Sequence, residues 1–310
     1  MKRISWNDPD AAAELNALYN RPACPREVEK SVADIVANVR ANGDDAVCEY
    51  LARFDKVSLA PAQFVVSSEE YAEAEQAVDE TAKTSIATAI VHVTAFAEQA
   101  KPHDHSFSPR PGVTLGERFV PMERVGCYIP GGTAPLVSTV IHTVAIAKAA
   151  GVREIVATTP VMKNGKVNPA TLYALKQAGA TEVWKLGGAY AIAALAYGTE
   201  TLRKVDKIVG PGNAYVAAAK KLVYGSVAID MVAGPSEIMI IADRTANPAF
   251  AAADMLSQAE HGSGLEQSVI VADSKEFLDA VETELKRQSV TLPRIETVNR
   301  VLENGTFMIE

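Results

Sequence analysis

Gln258, Glu260 and His261 crowd the end of the segment PAFAAADMLSQAEHG (248–262), whose apolar residues recur at helical spacing and which stops at Gly262. Gln258 and His261 stand at i and i+3, so a helix puts both side chains on one face, where an amide oxygen and an imidazole could share one ion or ligand. The same residues also suit a plain helix end. An imidazole there meets the negative pole of the helix dipole, and glycine takes the left-handed residue that closes a helix. The segment alone leaves both readings open, because two ligands make half of a four-coordinate metal shell at best. Glu260 lies one residue off the shared face and reads as structural.

Four glycine-bearing turns carry the other candidate chemistry. YIPGGTAPLVSTV follows the strand-like ERVGCYI, GGAYAIAALAYGTE follows EVWKL, GPGNAYVAAAK follows KIV, and MVAGPSE follows SVAID. Glycine lets a backbone come close to a ligand, and the free N–H groups of the next helix attract anions. Each turn by itself could be no more than a tight connection. All four leave the carboxyl end of a strand, which is where parallel α/β sheets gather their ligands, so together they imply a cofactor or substrate cleft. The dinucleotide fingerprint GxGxxG is absent in its usual form.

Positioning these turns requires alternating strands and helices. Between the strand segments above and EIVATT lie STVIHTVAIAKAA, NPATLYALKQA, AYAIAALAYG and NAYVAAAKKLVYG, all helical in period, which predicts βαβ units around a parallel sheet. The alternation resumes after residue 235 with EIMIIAD, the PAFAAADMLSQAEHG helix, SVIVAD and SKEFLDAVETELKRQ, making MVAGPSE (231–237) a domain joint. Before residue 122 the pattern is mostly helical. EVEKSVADIVANVRANGDDAVCEYLARFD breaks at Asn42-Gly43, and Ser67 with Glu70 forms a capping box that opens a run through Ala100. KPHDHSFSPRPG (101–112) reads as a mobile polar connector in which His103 and His105 hold no metal. His92 reads as a surface or half-buried residue and His142 as part of a helix core.

Composition narrows the function classes. The 310 residues carry a net charge of −8 with a pI near 5.3, which argues against nucleic acid and acidic lipid as partners. MKRISWNDPD has no apolar signal core, and no apolar run reaches membrane-spanning length. Cys24, Cys48 and Cys127 show no CxxC spacing and no even framework, which points to a reducing cytoplasm.

The turns YIPGGTAPL (128–136), GGAYAIAALAYGTE (187–200), VGPGNAYV (209–216) and DMVAGPSE (230–237), followed by SQAEHG (257–262), resemble those of the histidinol dehydrogenase family in order and spacing. The resemblance spans nearly the whole chain. It implies an α/β fold of two Rossmann-like domains with parallel sheets, preceded by an N-terminal helical region. The first domain is discontinuous (1–124 and 236–310) and the second is inserted at 125–235. It implies NAD and Zn2+ as cofactors, a homodimer in the full-length form, and the four-electron oxidation of L-histidinol through histidinal to L-histidine. Residue by residue, Tyr128, Tyr190 and Asn213 match cofactor-binding positions. Ser236, Gln258 and His261 match substrate-binding positions, and Gln258 and His261 match metal ligands.

Two departures accompany the resemblance. Tyr190 stands where the best-known members have glutamine in GGAQA, replacing a two-ended amide with one hydroxyl and a ring. The chain also ends at GTFMIE, in what reads as a strand, before the family's C-terminal quarter, which holds its Glu-His base and the other zinc ligands. The catalytic residues are therefore unknown from this sequence, since they would lie beyond residue 310. His261 cannot serve as base while a metal occupies its lone pair. The expectation is a 310-residue form that is incomplete and inactive alone. The alternatives are a sister zinc/NAD alcohol dehydrogenase of the same family, or a catalytically inactive short form acting as a binding protein.

Overall fold

The structure, a computed structural model, describes residues 1–20, 26–131, 136–233, 237–260 and 266–310. They fall into two compact units, Met1–Pro25 with Ala233–Glu310, and Arg26–Val232. The first unit opens with β1 (Lys2–Ile4) and α1 (Ala11–Tyr19). The second begins with α2 (Arg26–Tyr50), α3 (Ser68–Ala77), α4 (Glu80–Gln99), β2 (His105–Arg110) and β3 (Val113–Glu117). It continues through β4 (Arg124–Tyr128), α5 (Val137–Val140), α6 (Ile146–Ala149), β5 (Glu154–Thr158), α7 (Pro169–Ala178) and β6 (Glu182–Trp184). It closes with α8 (Gly188–Tyr197), β7 (Lys207–Val209), α9 (Ala214–Val223) and β8 (Ala228–Ile229). The first unit then resumes with β9 (Glu237–Ala242), α10 (Pro248–Ala259), β10 (Gln267–Ala272), α11 (Lys275–Ser289), α12 (Ile295–Asn304) and β11 (Thr306–Ile309).

In the second unit five strands form a parallel sheet in the order β6-β5-β4-β7-β8, as the alternating pattern predicts. The chain starts in the middle with β4, builds outward through β5 and β6, then crosses back to add β7 and β8. The reversal falls between β4 and β7, where Cys127 faces Ala157 on one side and Val209 on the other. Every residue of β4 is buried, as expected of a strand covered on both faces. Val125, Cys127, Ile155 and Ala157 pack with Val140, Val144 and Leu172 into one core layer. On the other face Gly126 admits α8, because a Cβ there would come within 3.0 Å of both Leu195 methyl carbons.

Residues 26–124 cluster with this compact unit. The physical reason is packing. Helix α2 lies on α8 and α9, and α3 lies on α7. Residues 64–66 extend the edge of β6, with the Val66 N–H donating to Val183 O at 2.9 Å and the Lys185 N–H to Phe64 O at 2.7 Å. The predicted break in α2 sits at Gly43 (φ 49°, ψ −127°), and the helix restarts with the Asp44 N–H donating to the Glu200 carboxylate at 2.7 Å. The Ser67–Glu70 capping box opens α3, but the run to Ala100 is divided, since Asp79 caps a second helix.

Two readings of the sequence are corrected. Residues 101–112 are no loose connector: β2 and β3 pair antiparallel across Pro111-Gly112, a turn dipeptide with Gly112 at φ 79°. His142 is exposed, not a core residue. It lies in a π-helical turn, Ile141–Ala145, that joins α5 to α6 and leaves His142 and Ile146 outward while Thr143, Val144 and Ala145 are buried.

The first unit is a four-stranded parallel sheet in the order β1-β11-β10-β9. Its alternating side chains build two layers. Ile270 and Met308 pack with α10, α11 and α12, while Val269 and Ile309 pack with Leu15 and Leu18 of α1. The terminal GTFMI segment supplies β11, an interior strand of this sheet.

Candidate functional site

The point where a doubly wound sheet reverses direction leaves a crevice at the carboxyl ends of two adjacent strands. Here those strands are β4, ending at Tyr128, and β7, ending at Val209. Gly210 follows with φ 120°, and a Cβ at that position would lie 2.2 Å from the Tyr128 carbonyl oxygen, so no other residue fits. Its backbone is held from both ends. The Gly210 N–H donates to Asp230 Oδ2 at 2.8 Å, and its carbonyl accepts from Lys220 Nζ at 2.8 Å. Lys220, 1% exposed, also pairs with Asp230 Oδ1. Burial pushes the Asp230 carboxyl up, but the Lys220 ammonium and the Gly210 and Met231 amides outweigh it and hold the group below its ordinary value.

Asn213 closes this turn as the N-cap of α9, accepting from the Tyr215 and Val216 amides at 3.1 and 3.2 Å. Its side chain is exposed. The oxygen is committed to the helix, which makes the amide NH2 the end that can serve a ligand.

Tyr128 and Tyr190 meet at the start of α8. The Gly188 N–H donates to the Tyr128 hydroxyl at 3.1 Å, and the Gly187 N–H donates to the Tyr190 hydroxyl at 3.2 Å. Burial raises the Tyr128 phenol to about 12, the Gly188 amide opposing and the Asp55 charge adding to the shift, so it stays a neutral donor at physiological pH. Tyr190 is 1% exposed; its hydroxyl donates to Asp55 Oδ2 at 2.5 Å and its ring stacks on Tyr50 with centroids 6.2 Å apart. Burial foremost, and then the Asp55 charge, drive the Tyr190 phenol far above its ordinary range. Burial likewise raises the Asp55 carboxyl, against the pull of the Tyr190 bond.

In the other unit, Gln258 lies in the last turn of α10, and Glu260 is the C-cap. Ser236 and His261 lie outside the described residues. Among the described residues, Glu237 opens β9 and pairs with Gln267, which opens β10. Gln258 Nε2 is buried with no hydrogen-bond partner among the described residues. An orphaned amide end of this kind costs ~1–3 kcal/mol, and since amide O and N are interchangeable by a flip, it fits a group kept to ligate through oxygen. Among the described residues no three His, Cys, Asp or Glu side chains converge on one point. The unpartnered Gln258 amide is thus a feature of the described residues that would suit a metal ion, and by itself it makes no closed site.

Sequence reasoning overlooked Asp55, Lys220 and Asp230 as parts of the site. Asp230 was visible inside the DMVAGPSE motif; Asp55 and Lys220 sat within ordinary helical patterns.

A parallel sheet whose switch point gathers glycine turns, helix N-termini and buried hydroxyls defines a class, the α/β proteins that hold a small-molecule ligand at their strand ends. Residues 20–310 match the family model described as histidinol dehydrogenase. The histidinol dehydrogenase of Bacteroides thetaiotaomicron is 45% identical over 311 residues, covering 100% of this chain and 71% of the relative. That of Rhizobium meliloti is 46% identical over 296 residues, covering 95% and 68%. The crystal structure of histidinol dehydrogenase from Elizabethkingia anophelis superposes with a TM-score of 0.89 at 36% identity, covering 100% of this chain and 71% of that one. The chain belongs to the histidinol dehydrogenase family, and with it to the oxidoreductases of histidine biosynthesis. This membership favours neither the sister alcohol dehydrogenase nor the inactive binding protein.

Proposed function

We propose that this chain carries the NAD site and part of the zinc and substrate site of a histidinol dehydrogenase, which oxidises L-histidinol through histidinal to L-histidine. The observation that carries the reading is the convergence of the Tyr128 end, the Gly210 turn and the exposed Asn213 cap at the β4–β7 switch point, in a chain of this family. When bound, NAD would supply the hydride acceptor and zinc a Lewis acid that orients the substrate's amine and imidazole.

The chain's own residues divide the work. Gly210 lets the backbone approach the cofactor, and the Lys220–Asp230 pair fixes that turn. Asn213 offers its NH2, and Tyr128 offers a phenol that burial keeps protonated. Tyr190 is the third cofactor-site position, acting from a buried place. In the other unit Gln258 and His261 would hold the metal, and with Ser236 the substrate. A neutral carboxamide and an imidazole leave the bound ion charged enough to attract further neutral ligands. Residues 125–235 correspond to the cofactor-binding domain in this reading. No helix among the described residues is long and apolar enough to cross a membrane. A cytoplasmic homodimer acting on a small molecule accords with the family resemblance.

The test is a calorimetric titration of the purified chain with NAD, beside Asn213→Asp and Tyr128→Phe. Saturable binding that weakens about fivefold or more in each variant, the equivalent of one hydrogen bond, supports the site. A wild-type chain that does not bind NAD, or variants that bind it equally well, would sink the proposal.

A further inference from the structure

The first amides of a helix lack intrahelical partners, and Gly187, the N-cap of α8, has no side chain to satisfy them. Two phenols from different parts of the chain do so instead, Tyr190 taking the Gly187 N–H and Tyr128 the Gly188 N–H. A hydroxyl that accepts from an amide must send its own proton elsewhere. For Tyr190 that place is Asp55. Asp55 in turn is the last residue of a π-helical turn, Leu51–Asp55, closed by Lys56 in the left-handed region at φ 59°. Non-Gly residues seldom occupy that region, and π turns recur at functional sites. Tyr50 and Phe54 stack with centroids 5.6 Å apart, and Tyr50 stacks on Tyr190, so the turn and the phenol share one aromatic column.

We propose that Asp55 and Tyr190 form an internal latch on the Gly187–Gly188 turn, and that Asp55 is thereby a positioning residue for the Tyr128 hydroxyl. Asp55 fixes the Tyr190 proton, which turns an oxygen lone pair onto Gly187. The adjoining peptide has little freedom, since Gly188 sits at φ 62° and Gly187 lies against Pro160, where a Cβ would come within 2.7 Å. A fixed turn presents the Gly188 N–H to Tyr128. By the same donor arithmetic, Tyr128 must direct its own proton away from the turn. Tyr190 thus acts through the turn rather than by touching the cofactor, as a buried ring with a twice-bonded hydroxyl would. This inference rests on the NAD reading above for its functional half.

The experiment uses the full chain with 15N-labelled glycine and the variants Tyr190→Phe, Asp55→Ala, Asp55→Asn and Tyr190→Phe/Asp55→Ala. Amide hydrogen exchange at Gly187 and Gly188 reads the latch directly, and NAD titration reads its consequence. Exchange at Gly187 should accelerate about tenfold in Tyr190→Phe and in Asp55→Ala. NAD affinity should fall about fivefold in both, with the double variant no worse than either single one. Asp55→Asn keeps an acceptor oxygen and should restore both readouts to within about twofold. Unchanged Gly187 exchange in Asp55→Ala overturns the latch whatever NAD does. Accelerated exchange with unaltered NAD affinity overturns the positioning role, leaving a contact that serves stability alone. A wild-type chain that binds no NAD while its exchange responds as expected upholds the latch and refutes the NAD reading instead.

Discussion

Replacing Lys220 with methionine keeps an unbranched apolar stem and removes one buried ammonium. The structure gives the size of the effect. That ammonium makes one bond to the Gly210 carbonyl and one to Asp230, at a residue 1% exposed. Breaking a buried ion pair from one side costs ~3–5 kcal/mol when the abandoned charge stays dry. Asp230 does not stay dry: its side chain is 32% exposed and keeps the Gly210 and Met231 amides as donors. We therefore expect ~2–3 kcal/mol for Lys220→Met, or a Tm lower by roughly 4–12 °C in a unit of this size. Asp230→Asn should cost more, toward ~3–5 kcal/mol, because it strands the ammonium where water cannot reach.

The pH dependence follows from the depressed carboxyl. Stability from the Asp230 pair is complete above the unfolded value of 3.8 and drains away as pH falls through the lower folded value. Either variant should flatten that acid limb. Urea unfolding from pH 7 down to pH 3, with NAD titration at neutral pH, measures all of this. Lys220→Met at wild-type stability, or Asp230→Asn milder than Lys220→Met, would refute the reasoning.

Three further outcomes can be checked alongside. Asn213→Ala should lose ~1 kcal/mol of unfolding free energy with the α9 cap, while Asn213→Asp keeps the cap and stability but still loses NAD affinity in calorimetry. Gly210→Ala should destabilise by more than ~1 kcal/mol in thermal unfolding, because alanine at φ 120° would also drive its Cβ to 2.2 Å from the Tyr128 carbonyl. Gln258→Leu should leave the metal-free chain as stable as before or raise it by ~1 kcal/mol, since it removes an orphaned amide end, yet lower retained zinc measured by elemental analysis after dialysis. Equal zinc retention would count against Gln258 as a ligand.

The alternation of β-rich and helical segments, the glycine turns at strand ends and the cap at Ser67 were legible in the sequence, whereas the caps at Asn168 and Asn213 emerge from the structure. Each rests on a local rule: a two-residue period against one of 3.6, a positive φ that glycine tolerates, a short side chain that satisfies nearby amides. The i, i+3 spacing of Gln258 and His261 is likewise a local feature of the sequence. The order of strands was not readable, so neither was the fact that β4 and β7 are the neighbours at which the sheet reverses. Pro111-Gly112 is a local turn signal, but the pairing of β2 with β3 across it is a property of the folded chain.

What tertiary structure alone decided were the contacts between residues far apart in the chain. Asp55 and Tyr190 are 135 residues apart, and nothing in RFDKV or GGAYA announces their bond. Lys220 and Lys221 are adjacent lysines with the same helix propensity. One is sealed against Gly210 and Asp230 and the other lies at the surface beside Glu29, a choice made only when α9 docks on its sheet. His142 faced solvent for the same reason, since a helix apolar on most sides does not say which side its neighbours will cover. A sequence encodes its periods and its turns residue by residue. Burial, and with it the energy of every charge and hydroxyl at the β4–β7 switch point, exists only once distant segments have packed together.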